Sequence, residues 1–206
     1  VNINGTQGRG SAPVDLNAIP ISAIERVEVL RDGAAAQYGS DAIAGVVNIV
    51  LKRSARGGSL TAEAGATDRG DGRRGQVGAS LGWDLGDGAW LRLAAEAGHQ
   101  QRTNRAGVDT RDAATEPRQG QVNNRLGDPD STRQSLLLNG QADLGDGLQL
   151  YGNASLSLRD TTSTAFWRTR ATAVANGVGA LYPEGFLPHE ESNTRDTSLV
   201  LGLRGE

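Results

Sequence analysis

The sequence predicts an all-β fold: an antiparallel meander of the kind that forms part of a transmembrane β-barrel, preceded by the end of a small α+β unit. Three observations carry this. From residue 58 onward, apolar and polar residues alternate with period two in six segments, as strands with one apolar and one polar face require. Leu85-Gly86-Asp87-Gly88 returns 59 residues later as Leu144-Gly145-Asp146-Gly147, so tight turns recur at one end. At the other end the joins are one short hairpin and two polar stretches of over thirty residues. Compact soluble domains rarely connect their strands so unevenly, whereas membrane barrels do.

Composition narrows the class further. Only 37% of the residues are hydrophobic, below the roughly 45–50% of ordinary globular chains, so a large dry core is hard to build. The 21 basic and 24 acidic residues nearly balance, which argues against a nucleic-acid partner. Without cysteine there is no disulfide framework and no thiolate site. No apolar run reaches the ~18 residues of a transmembrane helix, but a membrane strand needs only about 9–11. The chain opens at Val1 with no apolar leader, and reads as processed or as an internal piece.

Residues 1–18 read as loop. Their Gly5–Gly10 spacing is GxxGxG, not the dinucleotide fingerprint. Residues 19–52 are the least polar run. They contain a strand over Ile24–Leu30, a turn at Arg31-Asp32-Gly33, a small-residue segment over 34–42 and a second strand over Gly45–Leu51. Gly33, Gly39 and Gly45 read as positions that need glycine's backbone freedom or close packing. A basic, Gly-rich break at Ser54–Gly58 follows.

Side-chain parity sets the register of the strands beyond the break. Strands over 58–67 and 76–85 place Ala66, Ala64, Ala62 and Leu60 opposite Val77, Ala79, Leu81 and Trp83 respectively if a two-residue turn sits at Asp71-Gly72. The next strand, 89–98, needs a three-residue turn at Gly86-Asp87-Gly88, because a two-residue turn would flip every side chain. Trp83 then faces Leu91, and Leu81 faces Leu93. The repeated turn pairs Ala142 with Leu150, Leu138 with Ala154 and Leu136 with Leu156. The polar stretches run from about His99 to Thr132 and from about Thr161 to Thr194, and a sixth strand covers roughly 195–204. Trp90, Leu137 and Val200 are misfits on the polar face.

The stretch Ile24–Lys52, IERVEVLRDGAAAQYGSDAIAGVVNIVLK, resembles the C-terminal end of the plug domain of TonB-dependent outer-membrane receptors. The resemblance lies in Ile24–Leu30, Arg31 with Gly33, Tyr38-Gly39, Ala42 to Gly45 and Val46-Val47-Asn48-Ile49, with Val14–Asn17 and Ile19-Pro20 before them. It departs from the family at Arg31-Asp32-Gly33, where many members have Arg-Gly-Pro, and at Ala44-Gly45, where many have Gly-Gly. The resemblance implies plug over 1–53, linker over 54–58 and the first six barrel strands over 59–206, as an internal fragment of a longer receptor. It implies residence in the outer membrane of a Gram-negative bacterium, against lipid. It also implies a small-molecule ligand (a metal chelate such as a ferric siderophore, a cobalamin or a carbohydrate) and a TonB-type inner-membrane energy-transducing complex that acts through the missing N-terminal part of the plug. No covalent chemistry and no cofactor is implied.

Two sets of residues are candidates for function. Glu25, Arg26, Glu28 and Arg31 form a charged cluster that either locks plug to barrel wall by charge-assisted hydrogen bonds or is a solvated strand face. Phe166, Trp167, Arg168, Tyr182 and Phe186 put aromatics into the second polar stretch, as ligand contacts or as loop packing. Trp83 fits an interfacial aromatic girdle or a sandwich core. His99 and His189 stand too far apart in sequence to suggest a metal site, and Asp128-Pro129-Asp130 lacks the spacing of a calcium loop. The alternative to a receptor is a non-transporting all-β surface or adhesin module. It requires Leu91, Leu93, Leu136 and Leu156 to be buried against a second sheet.

Overall fold

The computed structural model describes residues 16–31, 45–112 and 116–205. Two single-turn helices, Leu16–Ala18 and Ile21–Ala23, lead into β1 (Ile24–Leu30), which pairs antiparallel with β2 (Val46–Leu51). Six further strands follow: β3 (Gly58–Gly65), β4 (Arg74–Gly86), β5 (Ala89–Gln100), β6 (Asp130–Asp143), β7 (Leu148–Thr164) and β8 (His189–Gly205). They form one sheet in sequence order, each antiparallel to the next. Helix α1 (Arg170–Ala175) lies in the β7–β8 connection, its N-terminus capped by Thr169. Asp32 and Gly33 of the expected turn and the segment 34–42 lie outside the described residues, as does the Gly5–Gly10 spacing. Gly45 is described: its φ is +131°, and a Cβ there would sit 2.6 Å from the Leu30 carbonyl oxygen. Glycine is therefore required where the chain enters β2.

The registers follow parity closely. Trp83 pairs with Leu91 and Leu81 with Leu93, as expected. A bulge between Asp84 and Gly86 supplies the odd residue, so the loop can close on Asp87 and Gly88, both with positive φ. The second copy of the turn repeats the device. Asp84 accepts the Gly86 N–H and Asp143 accepts the Gly145 N–H. Ala142 pairs with Leu150 and Leu136 with Leu156.

The first hairpin differs from expectation. Ala62 pairs with Val77 and Leu60 with Ala79, a slip by an even number of residues that keeps the same faces together. The two-residue turn at Asp71-Gly72 is replaced by the longer connection 66–73. Those two residues are engaged elsewhere, since Gly72 donates to the Arg102 carbonyl and Asp71 receives Arg105. The polar connections are also shorter than expected, because β5 and β7 run on to Gln100 and Thr164, and β8 begins at His189.

The sheet is inside out by the standards of a soluble domain. Along β7, Leu148, Leu150, Ala154, Leu156 and Leu158 share one face with Leu136 and Leu138 of β6 and with Leu199, Leu201 and Leu203 of β8. That apolar face is open: Leu136 is 43% exposed and Leu199 69%. The polar face is the covered one. Ser80, Arg92, Ala94, Glu96 and Leu137 are buried there under the segment that precedes β1 and the chain that follows β2. Ala23, Ala94 and Leu137 form its small core, with Ile19 and Leu51 against it. Leu137, a misfit in the sequence, thus meets the apolar edge of the plug. No second sheet covers Leu91, Leu93, Leu136 or Leu156 among the described residues, so the adhesin-like sandwich is not the arrangement present. No helix is long and apolar enough to cross a membrane among the described residues.

Candidate functional site: plug contact and loop cap

The contact between the N-terminal segment and the sheet uses backbone and side-chain groups on both sides. Ile21 donates its N–H to Glu96 Oε2 at 3.0 Å. Ser22 Oγ donates to the carbonyls of the cross-strand partners Ala79 and Ala95. Beyond β2, Arg92 donates to both the carbonyl and the hydroxyl of Ser54, at 3.0 and 2.7 Å, and to Ser80 Oγ. Asn139 donates to the Lys52 carbonyl at 3.1 Å. Buried polar side chains need such partners, and here the chain leaving β2 supplies them.

The charged cluster on β1 is bonded differently. Arg26 pairs with Glu25 and Glu28 on its own strand, and Asn48 of β2 donates to Glu28 at 2.8 Å. Asn48 and then Arg26 hold the Glu28 carboxyl below its ordinary range, and Glu28 raises Arg26. Arg31 is exposed at the end of β1. The structure brings Glu25, Arg26 and Glu28 together within the β1–β2 hairpin. The bonds to the sheet come instead from Ile21 and Ser22 and from the chain just beyond β2 at Lys52 and Ser54.

At the end opposite the Gly-Asp-Gly turns, the three connections bind one another. Arg105 clasps Asp71 through both guanidinium arms, at 2.7 and 3.0 Å, while Asn104 N–H and Thr67 Oγ1 also donate to that carboxylate. Arg105 first, then Thr67 and Asn104, hold the Asp71 carboxyl far below the usual range. Farther along, Arg111 and Asn123 do the same for Asp109. The 101–129 connection folds back on itself through Arg105 to Leu126 and Asp109 to Gln121. It reaches the β7–β8 connection through Asn124, whose Oδ1 accepts the backbone N–H of Trp167 at 2.8 Å.

The aromatic candidates sit in this cap. Arg118 lies 5.1 Å over the Trp167 ring. Tyr182 and Phe186 stack at 4.5 Å between centroids, and Arg168 and Phe186 exchange backbone hydrogen bonds. Phe166 is 72% exposed, and Arg168 is exposed beside it. Trp167, Tyr182 and Phe186 therefore have partners within the loops, while Phe166 and Arg168 project from them. The sequence did not single out Glu96, Arg92, Asn139 or Ser22.

A polar strand face packed on a short folded segment, an open apolar face, tight turns at one end and long bonded loops at the other define a class: an antiparallel β-meander with its inner, polar face covered by a plug-like segment. Comparison with known proteins agrees. Residues 1–46 match the TonB-dependent Receptor Plug Domain family. Over 97 residues, 46% of the chain, the sequence is 41% identical to the vitamin B12 transporter BtuB of Photobacterium profundum, covering 15% of that protein. The fold is similar to that of a mutant ferric enterobactin receptor from Pseudomonas aeruginosa, with a TM-score of 0.65 at 20% identity. That match covers 94% of this chain and 27% of the receptor. The chain therefore spans only a minor part of the length of the proteins it matches. The chain is similar to TonB-dependent receptors in its N-terminal segment, which matches the plug model, and in the fold of its sheet.

Proposed function

We propose that the protein is a receptor for energy-dependent uptake of a scarce ligand across the outer membrane of a Gram-negative bacterium, driven by a TonB-type inner-membrane complex. The ligand class is a ferric siderophore or other metal chelate, a cobalamin or a carbohydrate. The observation that carries this reading is the inverted sheet, with its polar face under the plug and its apolar face open. Among the described residues only Ala23, Ala94, Leu137 and Ala173 are fully buried hydrophobics. Water alone would leave the leucine face uncovered, an exposed apolar area far beyond a monomer's ordinary patches. Between Leu148 and Leu158 the strand rises about 33 Å at roughly 3.3 Å per residue. At a tilt of roughly 35–45° this is about 25 Å of height, the apolar band of an outer-membrane barrel.

In this reading residues 1–53 are plug, 54–58 linker and 59–206 wall. Phe166, Trp167, Arg168, Tyr182 and Phe186 are proposed ligand contacts in the loop cap. Glu25, Arg26, Glu28 and Arg31 are proposed to face barrel wall other than the six strands described. The test is uptake by cells carrying the full-length receptor, with labelled ferric siderophores, cyanocobalamin and maltodextrins as probes. Accumulation of one of them only when the energy-transducing complex is intact is the expected result. Equal accumulation with and without that complex would sink the reading.

A further inference from the structure

The two oxygens of the buried Glu96 carboxylate face different partners. Oε2 accepts the Ile21 N–H at 3.0 Å. Oε1 faces Arg133 Nε at 3.8 Å, an ion pair about 1 Å longer than a charged hydrogen bond of roughly 2.7–2.9 Å. Arg133 Nε is itself buried without a hydrogen-bond partner, while another arm of the same guanidinium donates to Gln76 Oε1. A buried donor left unmade is costly and calls for a reason. Glu96 is placed to satisfy it. Glu96 pairs with Ser135 and Gly98 with Arg133, so the two charged side chains are diagonal neighbours on one face, within reach of each other. Gly98 leaves the guanidinium room to shift, since even a Cβ there would sit 3.5 Å from Nε. On its other side the carboxylate meets the plug segment. Glu96 Oε2 and Ser22 Cβ both lie over the bare backbone of Gly78, each 3.6 Å from where a Cβ would stand.

We propose that Glu96 is a two-position acceptor. With residues 19–24 seated on the wall, it holds the Ile21 N–H and stops short of Arg133. With that segment lifted, it closes on Arg133 Nε, so that release of the plug segment does not strand a carboxylate without a partner. The wall then has two discrete arrangements of one side-chain pair, the kind of element on which switching depends. The switch is a property of the fold; its use in transport rests on the receptor reading above.

The test is hydrogen exchange, followed by mass spectrometry, on the full-length receptor in detergent, comparing wild type with Arg133→Gln and Arg133→Lys. Two roles for Arg133 predict opposite signs. As the second partner of Glu96 it stabilises the lifted state, so its loss should slow exchange over residues 19–24 by about tenfold, the worth of a hydrogen bond between charged groups. Arg133→Lys keeps a cation but loses Nε, and should fall between Arg133→Gln and wild type. As a mere support that positions Glu96 for Ile21, Arg133 would instead speed exchange when removed. Residues 53–57, fastened through Arg92 and Ser54 without Glu96, are the internal control and should not change. Correct folding of each variant is checked by its heat-modifiable migration in gels. Unchanged or faster exchange over 19–24 in folded Arg133→Gln overturns the proposal, as does an equal change over 53–57. Exchange needs neither ligand nor energy source, so it is read independently of uptake. Slower exchange in a receptor whose uptake ignores the energy-transducing complex keeps the switch and removes only its role in transport.

Discussion

Glu96 of β5 accepts the backbone N–H of Ile21 at 3.0 Å, across 75 positions of sequence. The residue is only 8% exposed, and the bond ties plug to wall at one atom pair. Removing the acceptor leaves the Ile21 N–H without its partner, which costs about 1–3 kcal/mol. Glu96→Ala in the full-length receptor should therefore raise amide exchange at residues 19–24 by about one to two orders of magnitude, while Glu96→Gln, which keeps an acceptor oxygen, changes it less. Exchange in Glu96→Ala that matches wild type would show that Ser22 and the core around Ala23 hold the segment without Glu96.

Arg92 makes a second anchor of a different kind. Its guanidinium reaches Ser54 twice and Ser80 once, so it fixes the chain between β2 and β3. Lysine lacks the planar fork and cannot reproduce these bonds together. Arg92→Lys should make the segment 52–57 more sensitive to limited proteolysis than wild type, and Asn139→Ala, which removes the single bond to Lys52, should do so more mildly. Equal cleavage in all three proteins would rule out wall anchoring of the linker.

Much of the sheet could be read from sequence because its information is local. Period-two alternation assigns faces, and Gly-Asp-Gly marks the turns; together they placed Trp83 opposite Leu91 and Leu136 opposite Leu156. Even the slip in the first hairpin preserved the faces. The sequence does not reveal that slip, because Asp71 looks like a turn residue, whereas its carboxylate is occupied by Arg105 of a later connection. The plug contact was hidden for the same reason. Parity put Arg92 and Glu96 on the polar face, but nothing local to them names Ser54 or Ile21 as partner. The one usable signal was Leu137: an apolar residue on a polar face, beside Ala94, marks where something apolar must press.

The two faces should differ sharply in what they tolerate. Leu199 and Ser198 are neighbours on β8, one on the apolar face and one on the polar face, paired with Ala154 and Ser155. The pair lies near the middle of the apolar band. On the proposed receptor reading, Leu199→Arg puts a charge into hydrocarbon and should destabilise the full-length receptor by about 2–4 kcal/mol, whereas Ser198→Arg turns toward the lumen and should cost little. Refolding into phosphatidylcholine vesicles across a urea series measures both. A larger loss for Ser198→Arg would reverse the assignment of faces.

The Asp71–Arg105 clasp gives the loop cap a defined response to pH. Both arms of Arg105, with Thr67 and the Asn104 N–H, favour the ionised carboxylate and set its titration well below the ordinary range. A depressed pKa contributes stability that is fully present above the unfolded value of about 3.9 and is lost as pH falls through the lower folded value. The clasp should thus hold unchanged from pH 7 to 5 and loosen only in strong acid. Both side chains are about one-third exposed, so salt should weaken the pair at any pH. Amide exchange over residues 66–73 and 101–105, corrected for the intrinsic pH dependence of exchange, reads this out. Asp71→Asn should show loosened exchange already at pH 7, with little further change on acidification. Wild-type loosening between pH 6 and 5, or an Asp71→Asn profile that overlays wild type, would mean that the backbone bonds of the cap, not this ion pair, hold the hairpin to the loop.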